Sequence, residues 1–255
     1  MYMHEVTYDL NELFRMNYHI HTTLSRCGRQ EMTLEAIIRE AEKAGLSEIA
    51  ITDHIHPGET AKVFRNDKIL RAQLENIPHT IKIYLGAELS AYGKNKYTLQ
   101  YSDFDKVEYR LYSHNHYQMD GWELPDEQTP LSYKQHMKLC LEKIIKSKKA
   151  DCMAHPFLDN YAVREFEDRY PLTVGCITSV WTDNELGDML SLGKEYQCAW
   201  EINTNAIRAN PEFAKRYFYI GKEAGVCFNI GTDAHTLDKV DTFASYKIIK
   251  DILGV

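Results

Sequence analysis

Residues 17–28 read NYHIHTTLSRCG, and the paired histidines His19 and His21 decide how the rest of the chain is read. They close the run RMNYHIH (15–21), which has the character of a strand. In a strand, residues two apart point to the same face, so both imidazoles can share one ion. An isolated pair like this is more often incidental than a ligand pair. Its weight depends on whether other strands end the same way.

They do. EIAIT (48–52), IKIYLGAELS (81–90), KVEYRLYS (106–113), ADCMAH (150–155), CAWEIN (198–203) and VCFNIGT (226–232) read as six further strands. Between them lie stretches of helical period: TLEAIIREAEKAGL (33–46), DKILRAQLENI (67–77), PLSYKQHMKLCLEKIIKSKK (130–149), NELGDMLSLGKEY (184–196), NPEFAKRYFYIGKEAG (210–225) and LDKVDTFASYKIIKDIL (237–253). Strand–helix alternation without a linker predicts parallel βα units in one domain, residues 1–255, with residues 1–16 as an extension before the first strand. A closed or distorted barrel suits the length better than an open sheet.

The candidate ligands fall at strand ends. TDH places Asp53 and His54 after the second strand, and Glu88 lies at the end of the third. SHNH places His114 and His116 after the fourth, and His155 closes the fifth. Glu201 sits near the end of the sixth, and GTDAH places Asp233 and His235 after the seventh. In a parallel barrel all strand C-termini open on one face, so residues far apart in sequence converge there. Imidazole and carboxylate together suit zinc, manganese or iron. The set exceeds the four ligands of a single tetrahedral zinc and is enough for two or three ions.

Composition narrows the class. The chain has 255 residues, 44% of them apolar, and a formal net charge of −7, which disfavours extended nucleic acid and anionic membrane surfaces as partners. Six cysteines without a CxxC pair read as reduced thiols. No apolar run reaches the length of a membrane span, and the first residues lack the pattern of a signal peptide, so a cytoplasmic location is expected.

The combination HIH, ITDH, GAE, AHP, EIN and GTDAH resembles the PHP family, named for polymerase and histidinol phosphatase, from about Asn17 to His235. The resemblance implies a distorted (β/α)7 TIM-like barrel, a cluster of two to three divalent ions and hydrolysis of phosphoesters. Carried over by motif, His19, His21, His54, Glu88, His155, Asp233 and His235 are metal ligands, with Glu88 the bridge. The fourth-strand ligand lies in SHNHYQMDGW (113–122), with His116 the first choice and His114 the second. Cys27 stands where the family often has His or Asp, six residues after His21, and is either a ligand or a loop thiol.

EINTNAIR and AHP resemble the histidinol phosphatase branch most. That resemblance makes Arg208 the anchor for substrate phosphate, with Arg164 a second candidate or an ordinary ion-pair residue. A small phosphomonoester such as histidinol phosphate is then the expected substrate, attacked by a hydroxide bridging two ions. His235 or a bound water protonates the leaving group, and Asp53 supports the catalytic group from behind. Three alternatives stand beside this reading: a PHP nuclease or nucleotide phosphatase, an amidohydrolase-type barrel, and a metal-binding domain without activity. Glu201 reads as a simple ion-pair residue, and His4, His56, His79 and His136 are placed off the site.

Overall fold

The computed structural model describes residues 2–159 and 175–255. Its strands are β1 (Met16–Ile20), β2 (Glu48–Ile51), β3 (His54–Ile55), β4 (Lys82–Leu85), β5 (Ala87–Gly93), β6 (Lys96–Tyr97), β7 (Arg110–Ser113), β8 (Cys152–Met153), β9 (Ala199–Asn203) and β10 (Phe228–Gly231). The α-helices among the described residues are α1 (Leu10–Leu13), α2 (Leu34–Lys43), α3 (Thr60–Leu74), α4 (Pro130–Lys146), α5 (Asp183–Tyr196), α6 (Thr204–Ala209), α7 (Pro211–Ala224) and α8 (Tyr246–Leu253). The fold is α/β with parallel pairing throughout, except for the small antiparallel hairpin of β5 with β6.

One sheet runs β1-β2-β4 and the other β10-β9-β8-β7-β5-β3. One expected strand, residues 81–90, is split into β4 and β5, and β3 follows β2 beyond the expected strand 48–52; side chains or close packing account for both breaks. At Thr52–Asp53, between β2 and β3, the Thr52 amide still donates to Ile20 O, while the Asp53 carboxylate turns to the loop at 22–25. At Gly86, between β4 and β5, the backbone comes so near Tyr109 that a Cβ would lie 2.3 Å from Tyr109 O. The Gly86 amide donates to Ile51 O and Glu88 N donates to Asp53 O, so the pairing carries across the break.

The first and last strands also meet. His21 N donates to Ala234 O at 3.0 Å, and Ala234 N donates to His19 O at 3.1 Å. Below this pair the buried Asn17 carboxamide replaces a ladder: its oxygen accepts from Thr232 N, and its nitrogen donates to Thr232 Oγ1 and Val240 O.

β1 and β9 are buried along their whole length, as parallel strands covered on both faces must be. The buried stripe Leu34, Ile37, Ile38 and Ala41 of α2 packs in one cluster with Ile49, Ile51 and Leu85. The stretch before β1 belongs to the larger core: Leu10, Leu13 and Phe14 are buried, and Tyr8 Oη donates to Val226 O. Two expected helices differ. α3 starts at Thr60, seven residues earlier than the periodicity suggests. The closing helix is instead two 3-10 turns, Leu237–Lys239 and Thr242–Ser245, followed by α8. Asp241 caps the second turn at Phe243 N, and Thr242 Oγ1 bonds Phe14 O, which ties that turn down before the helix can start.

Candidate metal centre

Register places the first partners. His54 and Glu88 are paired across β3 and β5, and His54 Nδ1 lies 2.5 Å from Glu88 Oε2. Glu88 is fully enclosed. Around its carboxylate stand His19 Nε2 at 3.4 Å, His155 Nε2 at 3.2 Å, His21 Nε2 at 3.7 Å and His116 Nε2 at 3.9 Å. Asp233 Oδ1 lies 2.9 Å from His21 Nε2 and 3.4 Å from His19 Nε2.

These contacts form three overlapping groups whose ligand atoms lie within 4.8 Å of one another: His19, Glu88 and His155; His19, His21 and Asp233; His21, Cys27, His54 and His235. Eight of the nine ligands expected from the sequence fall in these groups, and His116 approaches the same Glu88 carboxylate. His114 does not join it: its ring is buried with neither nitrogen in a hydrogen bond.

Whether an ion fits can be judged from the polar atoms. Both oxygens of Glu88 and Nε2 of His19 are buried, and the polar atoms around the carboxylate are imidazole nitrogens at 2.5–3.9 Å, so no solvent completes them. Orphaned buried polar atoms are costly, and a carboxylate more so, unless a cation completes them. Donor type agrees, since imidazole and carboxylate, with one thiol, is a transition-metal set. The residues fit bound metal ions.

The charge pattern has the same cause. Against its burial, Glu88 is held well below the usual carboxylate range by His54 and His19, and Asp233 is likewise held down by His19 and His21. His19 is raised well above its ordinary value despite burial, because Glu201, Asp233 and Glu88 surround it. His54 rises to about 10 for the same reason, chiefly beside Glu88 and against its burial. Burial instead pushes His21 and His116 down to about 3. The anions demand positive charge here, and protons and metal ions are alternative ways to supply it.

Supporting residues fix this geometry. Glu201 accepts from His19 Nδ1 at 2.7 Å and from the His155 amide at 2.5 Å, so one carboxylate orients two ligands rather than forming a simple ion pair. The sequence signal for this role is a glutamate between Trp200 and Ile202 in an otherwise apolar stretch of a buried strand. Gly231 makes room for it, since a Cβ there would lie 1.8 Å from Glu201 Oε1. Asn115, inside the inserted SHNH, donates to the carbonyls of His155 and Leu158 and pins that turn. His155 and Asp233 both have positive φ, +30° and +52°, a conformation that non-glycine residues rarely adopt and that costs energy.

Asp53 lies outside the three ligand groups. Its oxygens take the Thr22 amide, the Thr22 hydroxyl and the Ser25 hydroxyl, each at 2.7 Å. The expected catalytic carboxylate thus secures the loop that carries Cys27. His56, expected away from the site, has its ring 5.4 Å from that of His54. Arg208 is exposed on α6, lining a cleft with Asn205, Thr232 and Lys239, and is in none of the ligand groups. Arg164 lies outside the described residues.

A protein-family description, the PHP domain, matches residues 17–174, which includes every candidate ligand up to His155. No curated protein sequence matches significantly. Among solved structures, a candidate histidinol phosphatase, hisK, from Listeria monocytogenes aligns with a TM-score of 0.57 at 14% identity, over 88% of this chain and 96% of that one. At that identity the likeness speaks for the fold. The ochratoxinase of A. niger reaches a TM-score of only 0.42 at 10% identity, over 94% of this chain and 67% of that one, and carries no argument. With a match over more than half its length and these ligands gathered where the motifs place them, the chain belongs to the PHP domain family.

Proposed function

We propose that this chain is a metal-dependent phosphoesterase acting on a small phosphomonoester, with histidinol phosphate the first substrate to test. We also propose that its strands form one distorted seven-stranded barrel domain, with the contact of β1 against the segment after β10 as the closing seam. One observation carries the functional reading: the buried Glu88 carboxylate, set within 4 Å of imidazole nitrogens of His19, His54, His116 and His155. Bound divalent ions would offset charge on the phosphoryl oxygens and supply a nucleophile at neutral pH.

The chain's own residues do the rest. His19, His21, His54, Glu88, His116, His155, Asp233 and His235 hold the ions, and Glu201 fixes the tautomer of His19 by taking its Nδ1 proton in a hydrogen bond. We assign His235 to metal holding rather than to protonating the leaving group, because its ring shares a group with Cys27, His21 and His54. Arg208 is the candidate phosphate anchor, as its planar fork suits two phosphate oxygens.

The test is metal content per chain on protein purified without chelator, beside phosphate release from histidinol phosphate and from a panel of small nucleotides. Two to three ions with release from histidinol phosphate is the expected result. Release from nucleotides alone would transfer the assignment to a nucleotide phosphatase. Fewer than one ion per chain, with no release after manganese or zinc is added, would overturn the catalytic reading.

A further inference from the structure

The three ligand groups differ in chemistry. Two consist of imidazole and carboxylate alone, whereas the group of His21, His54 and His235 includes the sulfur of Cys27. The loop bearing Cys27 is built for that approach. Asp53 grips its start through Thr22 and Ser25, and the Ser25 hydroxyl also receives the His54 amide. The Gly28 amide donates to Ser25 O, and a Cβ at Gly28 would lie 2.0 Å from Thr22 O, so the chain turns back on itself there. The Arg29 amide then donates to His235 O, which seats the thiol beside that histidine. The ring of His21 lies 4.2 Å from that of His54 and 4.4 Å from that of His235, so all three imidazoles line one side. Next to this group, the buried Glu88 Oε2 lies 2.5 Å from His54 Nδ1.

We propose that Cys27 makes this position a thiolate–imidazole site that selects zinc, while the neighbouring carboxylate-bearing positions accept harder ions such as manganese. The inference rests on the metal-dependent reading above and extends it to the identity of the ions. Thiolate favours zinc, and the sulfur joins the imidazoles of His54 and His235, with His21 shared with the neighbouring group of His19 and Asp233. Carboxylate and imidazole in the other two groups are compatible with manganese or iron. Offered manganese alone, the chain should fill the carboxylate-bearing positions and leave the sulfur-bearing one empty.

Cobalt(II) in place of zinc gives a thiolate-to-metal charge-transfer absorption in the near ultraviolet only if sulfur is bound. Cys27 is the one cysteine in any ligand group among the described residues, and Cys140, Cys152, Cys198 and Cys227 are buried elsewhere, so the band reports on it. The wild-type protein, stripped and reloaded with cobalt, is expected to show the band, and Cys27→Ser is expected to lose it. Reloaded with zinc alone, the wild type should retain one zinc per chain more than Cys27→Ser. Because Cys27 is exposed, the metal-free variant should keep the circular dichroism and melting profile of the metal-free wild type. Cobalt binding without the band, or equal zinc in both proteins, overturns the thiolate site and leaves the phosphoesterase reading standing. Failure of the wild type to bind any of the three metals overturns both.

Discussion

Glu88 lies within 4 Å of five candidate imidazoles, and its replacement is correspondingly severe. Glu88→Gln keeps the shape but removes the charge that His19 and His54 surround. Residues supporting a ligand typically cost 10–100-fold, so loss of a shared ligand should lower phosphate release by about 100-fold or more. Steady-state assays beside metal analysis check this, with at least one ion per chain lost. Gly231→Ala tests the support behind the site. Its methyl would displace Glu201 from His19 Nδ1, lowering stability by about 1–3 kcal/mol from overpacking and metal affinity by about 10-fold or more. Thermal melts and metal titration separate these effects. At this scale the metal-type residues were legible, because a histidine or carboxylate repeated at successive strand ends is what a shared ion demands and what a buried strand otherwise avoids. Glu201, Asn17 and Asn115 were not, because a buried polar residue shows its purpose only through a partner distant in sequence. The positive φ of His155 and Asp233 leaves no trace in residue type either.

Among the elements, the loop after β1 and the start of α5 bear on function and stability separately. Asp53→Asn weakens the three hydrogen bonds that hold Thr22 and Ser25, so Cys27 and the His54 amide lose their fixed positions. Metal affinity should fall by about 10–100-fold while the far-ultraviolet circular dichroism stays unchanged. At α5 a capping box pairs Thr182 with Glu185, and the largely buried Lys134 of α4 donates to the same carboxylate. These hydrogen bonds, that of Lys134 first, hold Glu185 down to about 2. Its folded value is therefore below the unfolded one, near 4.3. The stabilisation it gives is complete above pH 4.3 and is lost as pH falls toward about 2. An acid titration of the melting temperature should show a shallower decline in that window for Lys134→Met than for the wild type. Sequence placed most strands and helices, but not the break within residues 81–90 or the added strand β3. Those depend on Gly86 approaching Tyr109 and on the turn of Asp53, both contacts between distant segments.

Across the whole molecule, the parallel α/β order followed from alternation, whereas the sheet arrangement needed structure. Residues 1–16 gave no sign of their task, yet Leu10, Leu13 and Phe14 sit in the main core. Deleting residues 1–14 should cost several kcal/mol, about 1.5–3 for each large apolar side chain removed, and broaden or abolish the thermal transition. Ion removal should also register globally. With free ion at 100 times Kd, binding adds about 2.7 kcal/mol, so chelation should lower Tm by about 5–10 °C.

The meeting of β1 with the segment after β10 gives this last effect a location. Among the described residues, the two banks are joined by the backbone bonds of Ala234 with His19 and His21 and by the Asn17 carboxamide beneath them. The candidate ligands straddle that line, His19 and His21 on one bank, Asp233 and His235 on the other. Bound ions would then act as rivets across a lightly stitched joint. Amide hydrogen exchange at His21 and Ala234 should slow markedly on loading and quicken on chelation, ahead of the amides of β7 and β9, so that filling the centre and fastening the fold would be one event.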